Sequence, residues 1–306
     1  MNMRKLVVED NPSFEQEVYE FGEEHPKLMI TAGIHGDEVA GISIAYEMIE
    51  LLNSTKLKNG SIKIMPKCNP VATRVLNRTS FYDDVDMNRV FPGNDIEGPT
   101  YKAAKNVWDE ANDMDIIIDL HCANQYSIPY ILSIYDKFPE VLSIINHLPL
   151  ENLVQSSGLR GQFFVESCYQ RNQKAFIIEL PSGTSKGAIK TAYVNDCLEA
   201  LKNLLVTLDF MEGAAIYNPP IYYGEIIDIK SSVSGLFKPI KSSGEEVKKG
   251  ELIGRIGSTE MRANCDFKIH TIIPDSYVYN GDLVYSYILR KETQALDLGG
   301  NHDKTN

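Results

Sequence analysis

Three short apolar runs in this chain each lead to a side chain that can bind a metal or move a proton, and this pattern restricts the fold more than any other feature. Leu28-Met29-Ile30 runs into Gly33-Ile34-His35-Gly36-Asp37-Glu38, Ile116-Ile117-Ile118-Asp119-Leu120 delivers His121, and Ala175-Phe176-Ile177-Ile178 delivers Glu179. Open α/β sheets gather ligands at the carboxyl ends of their strands. The three segments therefore read as parts of one active site.

The rest of the first two hundred residues fits such a sheet. Strands are expected at 4–8, 27–33, 61–66, 115–120, 129–133 and 175–179, and helices at 37–53, 99–112, 138–147 and 188–209. This alternation is the pattern of an α/β layer fold, a mixed central sheet flanked by helices. Helical apolar spacing begins directly after Glu38 and ends at Asn53-Ser54, which places Glu38 in a first helical turn, facing the positive helix end.

The texture changes at Asn218-Pro219-Pro220, where helical periodicity gives way to short β-rich runs separated by Ser/Gly turns. The expected division is a catalytic α/β domain over 1–215, a β-rich domain over 216–292 and a flexible tail over 293–306. Within the β-rich part, Val247-Lys248-Lys249-Gly250-Glu251-Leu252-Ile253 matches Val278-Tyr279-Asn280-Gly281-Asp282-Leu283-Val284. The shared pattern resembles the pseudo-symmetric strands of a barrel-sandwich hybrid, as in biotinyl and lipoyl carriers. The carriers' modified lysine has no counterpart, so a structural domain that shapes or covers the site is the expectation.

The 306 residues carry a net charge of −12, which argues against nucleic-acid or anionic-membrane partners. No run approaches the roughly 18 apolar residues of a membrane span, and Glu9-Asp10 interrupts the start too early for a secretory h-region. Five cysteines without CxxC spacing fit free thiols in a reducing cytoplasm.

Two imidazoles and a carboxylate, here His35, His121 and Glu38, form a set that suits zinc, with a fourth position left for water. Asp119, two residues before His121, is placed to orient a ligand imidazole. Glu179, closing its strand, fits a general base that takes a proton from water and returns it to a leaving nitrogen. The segment from Arg78 to Gly93 lacks the period of a regular element and holds two arginines. Their planar forks suit a substrate carboxylate or an oxyanion.

H-x-x-E at 35–38, Asn69-Pro70-Val71-Ala72, Arg78, D-x-N-R-x-F from Asp86 to Phe91, Asp119-Leu120-His121 and Glu179 occur in that order. The ordered set resembles the succinylglutamate desuccinylase/aspartoacylase family of the zinc carboxypeptidase superfamily, whose two-domain build also agrees with the β-rich end. The resemblance implies His35, Glu38 and His121 as ligands of one zinc ion per chain, and Glu179 as catalytic base and acid. It implies Arg78 as the group that polarises the scissile carbonyl, and Asn88 and Arg89 as the clamp for the substrate's α-carboxylate. The spacing from Arg78 to Asn88 resembles the branch acting on other N-acyl amino acids rather than aspartoacylase itself.

The expected activity is thus a cytoplasmic zinc deacylase acting on a small N-acylated amino acid. The alternatives are a metallocarboxypeptidase releasing a C-terminal residue from small peptides, and a binding module that keeps the pocket without the chemistry. A homo-oligomeric assembly is left open.

Overall fold

A nine-stranded mixed sheet forms the centre of the computed structural model, which describes residues 1–10 and 13–291. In chain order its strands are β1 (Asn2–Asp10), β2 (Ser13–Gly22), β3 (Lys27–Ala32), β4 (Ser61–Met65), β5 (Ile116–Ala123), β6 (Tyr130–Ser133), β7 (Asn152–Gln155), β8 (Lys174–Pro181) and β9 (Ile221–Tyr223). Across the sheet they lie β1-β2-β4-β3-β5-β8-β6-β7-β9. The inner block β4-β3-β5-β8 is parallel, whereas the β1–β2, β2–β4 and β8–β6 pairs are antiparallel. The accompanying helices are α1 (Val39–Ser54), α2 (Pro70–Arg74), α3 (Pro99–Glu110), α4 (Leu142–Ile145), α5 (Phe163–Arg171) and α6 (Thr191–Thr207). None of the described helices is long and apolar enough to cross a membrane.

The inner strands are apolar along their length because helices cover both faces. Leu28, Ile30, Ile116, Ile118, Phe176 and Ile178 share one core with Ile44 and Met48 of α1 and Leu201 and Leu204 of α6. The alternate residues Met29, Ile117, Ala175 and Ile177 share a second core with Ala104 and Val107 of α3 and Phe164 and Val165 of α5. Side chains two apart on a strand point the same way. The second row therefore continues into Thr31, Asp119, His121 and Glu179. Parallel register sets Thr31 beside Asp119 and His121 beside Glu179. One face of the sheet thus turns from core to chemistry within a single two-residue step.

The expected strands and helices are present with shifted ends, and further elements join them, α2 and β9 among them. β2, β7 and α5 lie where the sequence shows no clear period. The expected helix over 138–147 is a 3-10 turn at Pro139–Val141 followed by the one-turn α4. Helix α1 starts at Val39 rather than 37, because Glu38 holds the non-helical angles φ −90°, ψ 63° and makes no side-chain capping bond. Its carboxylate is drawn elsewhere.

Loop 156–162, between β7 and α5, is braced by the buried Glu166. That carboxylate accepts from Arg160 Nε at 2.7 Å, the Gly161 amide at 2.8 Å and Gln170 Nε2 at 2.5 Å. Burial works to raise its pKa, but the Arg160 guanidinium and the other donors outweigh it and bring the carboxyl down to about 2. The same loop ties down the 86–91 segment, through Phe91 N to Gly161 O at 3.1 Å and Phe163 N to Asn88 Oδ1 at 2.9 Å.

Beyond β9, which joins the central sheet although it lies past the expected boundary at 216, the chain forms two four-stranded antiparallel sheets. Their strands are β10 (Ile227–Lys230), β11 (Gly235–Pro239), β12 (Glu246–Val247), β13 (Leu252–Ile256), β14 (Thr259–Arg262), β15 (Phe267–Ile272), β16 (Ser276–Val278) and β17 (Leu283–Ile288). One sheet runs β10-β17-β15-β12 and the other β14-β13-β11-β16. Phe237, Ile253, Phe267, Ile269 and Val284 are among the side chains that close a core between them. Each copy of the sequence repeat is a strand, a glycine turn and a strand that crosses from one sheet to the other. The first crosses from β12 to β13, the second in the opposite sense from β16 to β17. Val247, Ile253, Val278 and Val284 are all buried, and Gly250 and Gly281 turn the chain at φ +88° and +94°. The tail expected over 293–306 lies outside the described residues.

Gly250→Ala and Gly281→Ala should each destabilise the protein by about 1–2 kcal/mol in urea denaturation, the cost of a left-handed conformation for a residue with a Cβ. A Cβ at either position would meet no atom within 4 Å, so unequal losses would refute the equivalence of the two turns. Glu166 should contribute stability above pH about 4.5 that is lost as pH falls toward 2, because its folded pKa is the lower one. Glu166→Gln should therefore cost about 1–3 kcal/mol at pH 7, and the gap from wild type should narrow toward pH 2. A gap that did not change with pH would place the effect in packing rather than charge.

Candidate active site

The loop after β3 is shaped by close backbone approaches. Gly33 turns at φ +67°, and a Cβ on Gly36 would lie 2.0 Å from the Ala72 carbonyl carbon. Gly36 N donates to Asn77 O at 2.9 Å, and Asn69 N donates to Gly33 O at 2.8 Å. Asn69 also caps α2 by accepting from Ala72 N at 3.1 Å, with Pro70 in the first turn. The Asn69-Pro70-Val71-Ala72 motif thus works as a clamp on the His35 loop.

That clamp sets His35 and Glu38 against His121. His35 Nδ1 lies 2.7 Å from Glu38 Oε1, and His121 Nδ1 lies 2.8 Å from Glu38 Oε2. Each ring's other nitrogen meets an aspartate: His121 Nε2 is 2.8 Å from Asp119 Oδ2, and His35 Nε2 is 3.0 Å from Asp86 Oδ1. Asp119 is fully buried and its second oxygen accepts from Thr31 Oγ1 at 2.7 Å, while Cys122 N donates to Glu38 Oε2 at 3.0 Å. All three candidate ligands are buried, and ligating atoms of the three lie within 4.8 Å of one another. Among the described residues this is the group that could hold a metal ion. Its donors suit one, since both rings turn Nδ1 toward the shared carboxylate while an aspartate fixes the far nitrogen.

Burial opposes charge on all three groups, yet mutual attraction prevails. Glu38 stays well below the usual carboxylate range through His121 and His35, and His121 is raised well above the ordinary imidazole value by Asp119 and Glu38. His35 is raised as well, with Glu38 and Asp86 overcoming its burial.

The other four candidate residues lie around this centre. Arg78 grips Asp86 Oδ2 through Nε at 3.1 Å and Nη2 at 2.8 Å, which leaves Nη1 3.8 Å from Glu38 Oε1. Asp86 is itself held low in pKa, because His35 and Arg78 outweigh its burial. Asn88 is buried and accepts from the Phe163 amide through Oδ1, so its NH₂ is the end left for a ligand. Arg89 bonds Asn88 O through Nη1 at 2.7 Å. Glu179 differs from every other acid here. Its Oε2 is shielded without a hydrogen-bond partner, and burial pushes its carboxyl up to about 7 even though His121 pulls the other way.

All seven candidate residues, His35, Glu38, Arg78, Asn88, Arg89, His121 and Glu179, line one cleft of about 690 Å³. Asn124, Tyr130, Gln162, Asp228, His270 and Ser286 also line it, none of which stands out in the sequence. The last three come from β10, β15 and β17, so the β-rich unit forms a wall of the site. Asp86 could have been found as a partner of His35 from its place in D-x-N-R. The wall residues lie far along the chain and carry no local motif.

The model of the succinylglutamate desuccinylase/aspartoacylase catalytic domain matches residues 24–206, more than half of the chain and all seven candidate positions. The N-alpha-acetyl-L-2,4-diaminobutyric acid deacetylase of Halomonas elongata is 23% identical over 245 residues, 76% of this chain and 71% of that protein. The fold is shared with solved structures. The succinylglutamate desuccinylase/aspartoacylase from Rhodobacter sphaeroides has a TM-score of 0.79 and 19% identity, covering 95% of this chain and 96% of that one. The product-bound ectoine utilization protein EutE (DoeB) from Ruegeria pomeroyi has a TM-score of 0.78 and 20% identity over 93% of each chain. With its catalytic segment matched from strand β3 to helix α6, this chain belongs to the succinylglutamate desuccinylase/aspartoacylase family.

Proposed function

We propose that the chain is a zinc-dependent hydrolase of linear amide bonds that removes the acyl group from an N-acylated amino acid or a similar small metabolite. The observation that carries this reading is the buried His35–Glu38–His121 donor set sharing one cleft with Glu179, whose carboxyl is raised to about 7. The donor set would hold one zinc ion, which when bound supplies a Lewis acid for the scissile carbonyl and for water. The deacylase family and the deacetylase relative support the reaction class.

Within that chemistry each side chain has a role its surroundings favour. Glu179, with a pKa near neutrality, takes a proton from the attacking water and returns it to the leaving nitrogen. Arg78 is fixed by Asp86 on two of its nitrogens, and Nη1, which lies 3.4 Å from His35 Nδ1 and 3.8 Å from Glu38 Oε1, is aimed at the donor set, where it can donate to the carbonyl oxygen as charge builds there. The Asn88 NH₂ and the guanidinium of Arg89 hold the substrate's α-carboxylate. Asp119 keeps the His121 ring in place.

A carboxypeptidase would use the same groups on a longer substrate. The wall contributed by β10, β15 and β17 favours a short one. All five cysteines are free thiols, which supports the proposal of a cytoplasmic enzyme.

Purified protein should carry about one zinc per chain, and His121→Ala should lose most of it in metal analysis. Full occupancy in that variant would remove His121 from the donor set. Glu179→Gln should retain zinc and fold while kcat drops about 10²–10⁴-fold; near-normal turnover would assign the proton transfer to another group. In a comparison of kcat/KM, an N-acetyl amino acid should exceed a tetrapeptide ending in the same residue. The reverse order would establish the carboxypeptidase instead.

A further inference from the structure

Gln162 stands between two residues that grip the 86–91 segment. On one side, Gly161 O accepts from Phe91 N at 3.1 Å. A Cβ on Gly161 would lie 2.3 Å from Arg89 O, so the two backbones touch. On the other side, Phe163 N donates to Asn88 Oδ1 at 2.9 Å. The backbone of Gln162 is therefore pinned against Arg89 at one end and Asn88 at the other. Glu166 braces the same loop from behind, through Arg160 and the Gly161 amide. The side chains of Asn88, Arg89 and Gln162 all line one cleft.

The Gln162 side chain has no task in holding the fold. It directly precedes α5 yet makes no capping bond. Its Oε1 is shielded from solvent without a partner, and no hydrogen bond among the described residues engages its Nε2. Acceptors go under-satisfied in protein interiors more readily than N–H donors do. The carboxamide accordingly turns its NH₂ toward the cleft. Asn88 does the same, because its Oδ1 is taken by the Phe163 amide. Two uncharged NH₂ groups and the Arg89 guanidinium thus border one space, and all three offer donors to it.

We infer that Gln162 is a third arm of the clamp for the substrate's α-carboxylate, and that it makes the site require a free acid there rather than an amide. The inference rests on the deacylase reading and deepens it. A carboxylate has two oxygens with about four acceptor positions, enough to take bonds from all three side chains. An α-carboxamide replaces one oxygen by NH₂, which would meet a donor with no lone pair to receive it. A site that leaves polar groups unpaired in this way rejects the wrong ligand far more strongly than an apolar pocket does. Gln162 lies outside the Asp86–Phe91 motif, some seventy residues along the chain, and reaches Asn88 and Arg89 only through the fold.

The test begins with a panel of N-acetyl-L-amino acids, from which the acid hydrolysed fastest is taken together with its α-carboxamide. Wild type should favour the acid. Gln162→Leu should lower kcat/KM for the acid about 10–100-fold, mainly through KM, the value of a hydrogen bond to a charged group. Its effect on the carboxamide should be far smaller. Gln162→Glu should reverse the preference, because its carboxylate repels the acid and accepts from the carboxamide NH₂. Zinc content and Tm, measured on both variants, should match wild type. Equal losses on acid and carboxamide in Gln162→Leu, or an undiminished preference for the acid in Gln162→Glu, overturn the role of Gln162 while the deacylase reading stands. No hydrolysis of any member of the panel overturns that reading and the third arm with it.

Discussion

The site depends on keeping the Glu38 carboxylate charged where water does not reach it. An ionised carboxylate in a protein interior carries a desolvation cost of several kcal/mol unless partners surround it. Here two imidazoles and the Cys122 amide share its two oxygens. The histidines in turn lean on Asp119 and Asp86, and those acids lean on Thr31 and Arg78. The result is a closed relay of alternating charge in which each group is fixed by the next. Glu179 stands beside this relay but receives none of its hydrogen bonds, which is why its proton affinity rises while that of Glu38 falls.

The position of Glu38 shows how this demand overrides local preference. Its place before an amphipathic run favours a first-turn carboxylate facing the helix dipole, an interaction worth about 0.3–1 kcal/mol at an exposed site. Two imidazoles, at 2.7 and 2.8 Å from its oxygens, offer more in a buried one. The helix therefore begins at Val39, and Glu38 serves the histidines.

The catalytic half was legible because its signals are local. The apolar runs at 28–30, 116–120 and 175–178 mark strands covered on both faces, and period-2 alternation carries Asp119, His121 and Glu179 to one side. The β-rich unit was legible through its glycine turns, whose left-handed angles are nearly the same in both repeats. Other features were silent for physical reasons. In β2 the buried polar Gln16 interrupts the apolar row of Phe14 and Val18, which breaks the alternation, and the strand's pairing depends on β1 and β4 rather than on propensity. Helix α5 opens on Phe163-Phe164-Val165, an apolar run that reads as strand or helix equally well until the second core claims it. His270 and Asp228 carry no signal at all, since what distinguishes them is the face of a sheet packed against another unit.

That packing has a consequence for how such a protein changes over time. The seven candidate site residues lie between positions 35 and 179, whereas the facing wall is built from strands that begin at 227 and possess their own core. Side chains on the outward row of β10, β15 and β17 point away from that core. Exchanging one alters the shape and charge met by an incoming molecule without loosening either hydrophobic interior. On the proposed function, reaction and selectivity would be written on separate stretches of the polypeptide, so that the second can drift while the first stays fixed.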